Sequence, residues 1–282
     1  MTSESYITKL YFKKYFLILF PIALIISGAG FFFCFLAMDG KHLSAFILMC
    51  IFCIGISVII PASLAHEDKK KGTEAYRLFC SEGFTCSFCD TYRKAYINSE
   101  NHFPPHIVMC VAYYMRISEY DTASMLLNKI ENPAILDSHS RFIYFLEMLT
   151  LCGKTGNWSR GEEIRRKNIG FIQNYVRKKK NNPEYRVNMS IALALVDCSH
   201  GRYADAFTLL NSGYKPKDKN DENFLNILIN AVYIYSQAKN DENLHNAIHN
   251  AVTFLNNFTE FDFPWRKDYY KEQIRKASKG TL

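Results

Sequence analysis

Three cysteines that lie close together in the chain are the first candidates for chemistry. Cys80, Cys86 and Cys89 contain a Cys-x-x-Cys pair, and thiolates at this spacing hold structural zinc or react as a redox pair. A tetrahedral zinc site would need a fourth ligand from one of three further residues, Cys110, His102 or His106. Because no second Cys-x-x-Cys pair follows at the spacing of a zinc module, we favour packing of one helix face and expect no cofactor.

Two other short motifs suggest chemistry that the surrounding residues do not support. Gly153-Lys154-Thr155 matches the end of a phosphate-binding loop, but that motif needs a glycine five residues before Gly153, where the chain has Met148. His245 and His249 would share one face of a helix and could hold a metal ion, yet no glutamate follows His245. We therefore interpret the first motif as a turn between helices and the second as part of a solvated helix face.

A run of four basic residues, Arg177-Lys178-Lys179-Lys180, is followed by Asn181-Asn182-Pro183. Cations stabilise the C-terminal end of a helix through its dipole, so we interpret the run as the solvated end of a helix. Contact with anionic lipid or with an acidic partner is the alternative.

The chain shows none of the common catalytic signatures. It contains no Ser-His-Asp arrangement, paired carboxylates or glycine-rich nucleotide loop, so we expect no catalytic residue and no enzyme. The net charge of +7 comes from 34 Lys and Arg residues against 27 Asp and Glu residues. This charge forms no basic stripe, so we expect no nucleic-acid partner. Function is then expected in a binding surface.

The first 65 residues differ in composition from the rest of the chain. Two uncharged runs, 15–38 and 43–65, each exceed the roughly 20 residues that span a bilayer as a helix. We therefore predict a two-span transmembrane hairpin over 15–65 in contact with membrane lipid, after an N-terminal segment 1–14. Because Lys and Arg residues flank the outer ends of the hairpin and only Lys41 lies in its turn, both termini are predicted to be cytoplasmic.

Small residues recur at helical spacing along both spans. Such residues let membrane helices approach each other closely. We expect them to pack the hairpin on itself, with a docking face for another membrane protein as the alternative. The residues are Ala23, Ser27, Gly30 and Cys34 in the first span and Cys50, Cys53 and Ser57 in the second.

After Gly72 the apolar period is close to 3.6 residues, which predicts an all-α structure. Three segments that begin at Tyr113, Leu151 and Val196 align without a gap. Each carries a small residue, an aromatic residue two positions later and a second small residue three positions after that. These sets are Ser118, Tyr120 and Ala123; Gly156, Trp158 and Gly161; and Gly201, Tyr203 and Ala206.

This pattern resembles the interhelix turn of tetratricopeptide repeats, in which the aromatic residue fills the space between helices and the small residues let them touch. The resemblance implies a solenoid of about four helix pairs over 103–260. It would follow a juxtamembrane capping segment 66–102 and precede a C-terminal helix or tail 261–282. A fourth copy is recognisable around Tyr235, and its second helix is expected to start three residues late.

The resemblance also implies a concave groove lined by the first helix of each pair. The Lys and Asn residues with which some family members bind a terminal carboxylate are missing, so an amphipathic helix or an extended apolar peptide is the expected protein partner. The chain's own C-terminal helix is the alternative occupant. The groove residues would be Val108, Ala112, Met115, Leu146, Thr150, Ile191 and Leu195.

Three functional hypotheses follow from these observations. The first is a membrane-anchored cytosolic scaffold or adaptor that recruits a protein partner to the inner membrane face. The second is an accessory subunit of a membrane transport or secretion complex. The third is a thiol- or zinc-dependent sensor that uses Cys80, Cys86 and Cys89.

Overall fold

A computed structural model of the chain describes residues 3–37, 43–97, 103–180, 182–211 and 214–280. Within these ranges the chain forms thirteen α-helices, one 3₁₀ turn and no strand. The all-α class is therefore confirmed. The chain divides into two compact units, Met1–Glu74 and Ala75–Leu282.

The first unit consists of two long helices, α1 (Ser3–Ala37) and α2 (Leu43–Lys71), which pack against each other. Both are long and apolar enough to cross a membrane. The polar turn Asp39–His42 lies outside the described residues. Helix α2 continues past Ala65 to Lys71, so the start of the expected juxtamembrane segment belongs to this helix.

Large apolar side chains cover the outside of this hairpin. Sixteen of the 21 exposed large hydrophobic residues of the described chain lie between Leu17 and Ile60. Among the small residues, Ala23, Ser27 and Ser57 are buried, while three others, Gly30, Cys50 and Cys53, are half-buried. The side chain of Cys34 lies outside the described part. The apolar faces of α1 and α2 thus point outward and the small residues lie nearer the helix contact.

The second unit contains eleven helices and one 3₁₀ turn in its described residues. These helices follow one another with short connections. Their bounds are α3 (Thr73–Glu82), α4 (Cys86–Tyr96), α5 (Pro104–Arg116), α6 (Tyr120–Leu127), α7 (Ser138–Lys154), α8 (Trp158–Lys178), α9 (Pro183–Ser199), α10 (Tyr203–Leu210), α11 (Glu222–Gln237), α12 (Asp241–Asn257) and α13 (Arg266–Ser278), with the 3₁₀ turn at Pro133–Ile135.

Four helix pairs are closed by the same turn. In each turn one residue adopts a positive φ: Ser118 (67°), Gly156 (73°), Gly201 (80°) and Lys239 (52°). The next residue donates its backbone N–H to the carbonyl five positions earlier, at N···O distances between 2.9 and 3.1 Å. This is the hydrogen bond that satisfies a carbonyl left free at a helix C-terminus. The second helix then begins two residues after the positive-φ position.

The fourth pair follows this rule as closely as the other three. Helix α12 begins at Asp241, six residues after Tyr235, just as α6 begins six residues after Tyr114. The expectation of a late start was therefore wrong. That expectation assigned Ala247 to the position that Ala123 occupies in the first pair. The observed turn assigns Leu244 to this position. The sequence signal was weak because Lys239 and Asp241 replace the small and aromatic residues.

The helix contacts repeat along the chain in a regular order. Helices α5, α7, α9, α11 and α13 each contact the next in this series, and α6, α8, α10 and α12 each contact both neighbours in sequence. The buried residues form two clusters, and α9 contributes to both. The hydrophobic core is therefore extended along the stack of helices.

Alanine substitutions at two glycines can test the positive φ angles of the turns. A Cβ at Gly156 or Gly201 would meet no atom within 4 Å, so the only cost of alanine there is the positive φ. We expect each Gly→Ala change to lower the free energy of unfolding by about 1 kcal/mol. Gly170→Ala is the matched control, because Gly170 is exposed within α8 with equally open space.

The control substitution should raise the free energy of unfolding by up to about 1 kcal/mol, since alanine is the better helix former. Urea-induced unfolding followed by circular dichroism measures all three variants. Equal changes in the free energy of unfolding for Gly156→Ala and Gly170→Ala would contradict the positive φ assigned to Gly156.

Candidate functional site

The predicted groove residues lie at different depths. Val108, Leu146 and Leu195 are buried in the core, so they present no surface to a partner. Four others are half-buried: Ala112, Met115, Thr150 and Ile191. On α7 the half-buried polar residues Glu147, Thr150 and Lys154 are spaced at helical intervals. Thr150 was predicted for this side of α7, whereas Glu147 and Lys154 were not.

Two contacts link first helices of the pairs: Arg116 of α5 acts on Glu147 of α7, and Lys154 of α7 lies over Tyr233 of α11. We call these four residues and Thr150 the inner face. Burial raises the pKa of Glu147 to about 7, against the opposing effect of the nearby Arg116 guanidinium. The inner face therefore contains a carboxyl group that titrates near neutral pH.

Lys154 is the most unusual side chain of the inner face. Its Nζ lies 3.6 Å from the centre of the Tyr233 ring, has no contact with solvent and has no hydrogen-bond partner. Burial lowers its pKa to about 7, partly offset by Cys198. Burial disfavours the ammonium, whereas the face of the Tyr233 ring attracts it, so the two effects oppose each other at this side chain.

The C-terminal segment of the chain packs onto the start of the same unit. Phe79 lies 5.2 Å from both Phe263 and Trp265, measured between ring centres, and Phe84 lies 5.5 Å from Tyr269. Gln273 on α13 also donates to the backbone carbonyl of Arg116, at 3.5 Å. We call these aromatic contacts the C-terminal clasp. It brings the last helix of the unit against its first helices, beside the inner face.

Gly83 allows the Trp265 ring of the C-terminal clasp to pack against the backbone. It has a φ of 76°, and a Cβ at this position would overlap the Trp265 ring. We expect Gly83→Ala to lower the free energy of unfolding by about 3 kcal/mol, because backbone strain adds to steric overlap. Urea-induced unfolding monitors the loss.

A second background separates the two causes of this loss. In a Trp265→Ala chain the overlap is gone, so Gly83→Ala should cost only the backbone strain of about 1 kcal/mol. An unchanged cost in both backgrounds would show that Trp265 does not lie over Gly83.

A buried carboxylate joins three consecutive helices. Asp197 on α9 has a side chain that is 3% exposed. It accepts hydrogen bonds from Arg165 Nη1 on α8 at 3.1 Å and from Arg202 Nε before α10 at 2.9 Å. Arg202 also pairs with Glu162 of α8. Two guanidinium groups thus compensate the desolvated charge of Asp197, so the loss of both would leave an unpaired buried carboxylate.

The three clustered cysteines occupy different environments. Cys86 is exposed, Cys80 is half-buried and Cys89 is buried with Cys110 nearby. Burial raises the pKa of the Cys89 thiol far above its usual range, and burial raises that of Cys110 to about 12. The described residues contain no group of three or more His, Cys, Asp or Glu side chains placed to hold a metal ion. Cys89 and Cys110 are thus packed thiols, whereas the exposed Cys86 does not fit the predicted packing of one helix face.

The other motifs singled out in the sequence lie at helix ends or on an exposed helix face. Lys154 is the last residue of α7 and Thr155 caps that helix. Arg177 and Lys178 lie in the last turn of α8. Two residues of α12, His245 and His249, are both exposed.

A cleft of about 230 Å³ opens between α6, the end of α7 and the start of α8. Its apolar residues include Leu127, Met148 and Leu151, and its polar residues include Ser124 and Arg160. The exposed Trp158 follows Asn157, which also lines the cleft. Trp158 stacks on His200, the residue that caps the C-terminus of α9, at 4.0 Å between ring centres. The ring therefore lies between the start of α8 and the end of α9.

Sequence reasoning missed the residues that give the inner face its character. Glu147 and Asp197 belong to no motif, and Lys154 drew attention only as part of Gly153-Lys154-Thr155, because the properties of all three come from burial or from residues more than thirty positions away. The only available signal was a charged residue within an apolar helical run. Comparisons with protein-family models, with curated proteins and with solved structures found no match for this chain.

Proposed function

We propose that this protein is a membrane-anchored scaffold whose helical repeats recruit a protein partner to the inner membrane face. The observation that carries the proposal is the joining of two membrane-length helices to four helix pairs closed by one recurring turn. The outward-facing apolar side chains of α1 and α2 suit contact with lipid rather than with water. Repeated helix pairs commonly present binding surfaces.

The order of helix contacts supports a tetratricopeptide-like solenoid. In such a stack the first helix of each pair contacts the first helix of the next pair. The second helix of each pair also contacts the first helix of the next pair. Helix α13 contacts α11 and α12 as the first helix of a further pair would. The small residues Ala123, Gly161 and Ala206 are all buried near the helix contacts, as the resemblance implies.

The cleft beside α6 suits a protein partner better than the inner face does. Side chains of the chain itself cover part of the inner face, since Lys154 extends to Tyr233 and Gln273 reaches the Arg116 carbonyl. The cleft instead is lined by both apolar and polar residues, among them Leu127, Met148 and Asn128. This combination accepts an apolar side chain from an amphipathic helix or an extended peptide. Binding, with no catalytic step, is the proposed activity.

A matched pair of variants tests the partner site. Ser124 lines the cleft, so Ser124→Trp would fill it, whereas Ser159→Trp adds the same side chain on the exposed start of α8 outside the lining. The full chain and both variants are cross-linked in intact cells, purified in mild detergent and compared by quantitative mass spectrometry.

We expect the protein partner to be lost with Ser124→Trp and retained with Ser159→Trp, while both variants keep the melting temperature of the parent. Identical sets of co-purified proteins from all three chains would contradict the cleft as the partner site. A chain found in the soluble fraction after cell lysis would contradict the membrane anchor.

Both termini are proposed to be cytoplasmic, because the basic residues flank the outer ends of the hairpin. A tag at the C-terminus should then resist an external protease in intact cells and become sensitive after permeabilisation. Cleavage of the tag in intact cells would overturn this orientation.

One observation favours the second candidate, an accessory subunit of a membrane complex. Gly28 is exposed on α1, and a Cβ there would meet no atom within 4 Å, so another membrane helix could approach closely. Gly28→Leu is the sharp test, since Ser27 is buried within the hairpin itself and its replacement would disturb the hairpin. Loss of a membrane protein from the Gly28→Leu complex, with insertion unchanged, would favour the subunit over the scaffold.

A further inference from the structure

Six lysines lie at the same end of the hairpin formed by α1 and α2. Only five residues connect these two helices, and the helices pack against each other. The N-terminal half of α1 therefore lies beside the C-terminal half of α2. All six lysine side chains are exposed. We call them the basic collar: Lys9, Lys13 and Lys14 on α1, and Lys69, Lys70 and Lys71 on α2.

The basic collar directly follows the apolar part of both helices. The uncharged runs begin at Tyr15 on α1 and end at Ala65 on α2. At a helix rise of about 1.5 Å per residue, the lysines lie between about 2 and 9 Å beyond these limits. The headgroup layer on one side of a bilayer is about 5–7 Å thick. The collar therefore covers the full depth of this layer.

An aromatic residue marks the same depth on α1. Lys14 Nζ lies 5.5 Å from the centre of the Tyr15 ring, and Tyr15 is half-buried. Tyrosine is enriched where the hydrocarbon core meets the headgroups, because its ring is apolar and its hydroxyl is polar. Helix α1 thus changes from the exposed apolar Leu17 through Tyr15 to the exposed Lys13 within little more than one turn.

The basic collar carries more positive charge than its own helices neutralise. The segments 9–14 and 66–71 contain six lysines against two carboxylates, Glu67 and Asp68, and Asp68 is only 7% exposed. Lys9 and Lys13 are four residues apart on one helix face, where like charges repel each other. Anionic groups outside the chain would relieve this repulsion.

Stabilisation of a helix end accounts for only half of the basic collar. Lys69, Lys70 and Lys71 form the last turn of α2, where cations interact favourably with the helix dipole. Lys13 and Lys14 lie well inside α1, which begins at Ser3. The dipole effect is confined to the end turns of a helix, so it does not explain these two lysines beside the apolar run.

We propose that the basic collar binds the phosphate groups of anionic phospholipids on the side of the membrane that holds both termini. The exposed apolar side chains of α1 and α2 contact the acyl chains, and the collar lysines donate charge-assisted hydrogen bonds to phosphate oxygens. A headgroup with a net negative charge is preferred over a zwitterionic one, whose own cation is repelled by the lysines. This proposal rests on the proposed membrane anchor and names the lipid class that holds it.

The lipids retained by the purified full chain test the basic collar. The chain is reconstituted with equal amounts of phosphatidylglycerol and phosphatidylcholine that carry the same acyl chains. It is then released in mild detergent, and the bound lipids are counted by native mass spectrometry. We expect about five-fold more phosphatidylglycerol than phosphatidylcholine on the parent chain, the preference that one additional lysine contact supplies.

Two triple variants with the same loss of charge locate the binding site. The collar variant combines Lys69→Gln, Lys70→Gln and Lys71→Gln. The control variant combines Lys178→Gln, Lys179→Gln and Lys180→Gln, which removes three exposed lysines from the end of α8. We expect the collar variant to lower the lipid ratio by about two-fold or more and the control variant to match the parent. Arginine at the three collar positions should keep the preference, because it keeps the positive charge.

Three results would overturn the proposal. Equal amounts of the two lipids on the parent chain would leave the lysines with a role in the orientation of the hairpin alone. A ratio that the collar variant leaves unchanged, or that both triple variants lower equally, would place the bound lipid elsewhere. Failure of the anchor is a separate result: a chain that stays in solution without detergent and retains neither lipid would overturn both the anchor and the collar.

Discussion

Replacing Gly153 with alanine is expected to lower the free energy of unfolding by about 3 kcal/mol. A Cβ at Gly153 would lie 2.7 Å from the backbone carbon of Leu195 and 2.8 Å from its carbonyl oxygen. Backbone atoms of a packed helix cannot avoid this overlap by a change of rotamer, as a side chain could. Helices α7 and α9 would therefore have to move apart. The loss should exceed that of Gly156→Ala, where strain alone acts.

Urea-induced unfolding of the full chain in detergent measures this loss against Gly170→Ala, which adds the same methyl group in open space on α8. Helix propensity favours alanine at both positions, so any difference between the two variants comes from the contact with Leu195. A loss below about 1 kcal/mol for Gly153→Ala would show that α7 and α9 are not in such close contact.

The Gly153 contact gives the Gly-Lys-Thr motif a structural role. Its glycine permits close helix packing, its lysine extends across the inner face and its threonine caps α7, where Thr155 Oγ1 donates to the Leu151 carbonyl at 2.8 Å. The sequence indicated that the motif lay in a helical context, because Met148 replaced the required glycine. It did not indicate the close contact with α9, since Leu195 is forty-two residues away.

Local sequence signals anticipated the helical architecture well. Hydrophobic period, turn residues and two long apolar runs each report on neighbouring residues only, and the helices lie where these signals place them. Ser118, Gly156 and Gly201 marked three turns because a positive φ restricts the choice of residue there. Lys239 adopts the same conformation without such a preference, so the fourth turn was placed incorrectly.

The chemistry of the inner face depends on distant residues and was not predictable in this way. Of the two groove residues predicted on α7, Thr150 is half-buried and Leu146 is buried, while the half-buried Glu147 was not predicted. Burial lowers the pKa of Lys154, and its Nζ lies against the ring of Tyr233, on a helix two pairs away along the chain. Such effects come from burial, which a single sequence does not report.

The Asp197 network should show the largest response to loss of charge compensation. Removing both guanidinium groups with Arg165→Met and Arg202→Met leaves a carboxylate that is 3% exposed without a cation. Methionine keeps much of the aliphatic packing of arginine, so the change mainly removes charge. We expect the double variant to lose about 3–5 kcal/mol of unfolding free energy, the usual cost of an uncompensated buried charge.

A triple variant distinguishes this electrostatic cause from lost packing. Adding Asp197→Leu removes the stranded carboxylate, and hydrophobic replacement of a whole buried ion network is often neutral or stabilising. The triple variant should therefore be more stable than the double variant, although it carries one more substitution. Asp205→Asn, at an exposed position of α10, is the control and should change stability by less than about 0.5 kcal/mol. A triple variant less stable than the double would mean that Asp197 stabilises the stack through contacts other than its two arginines.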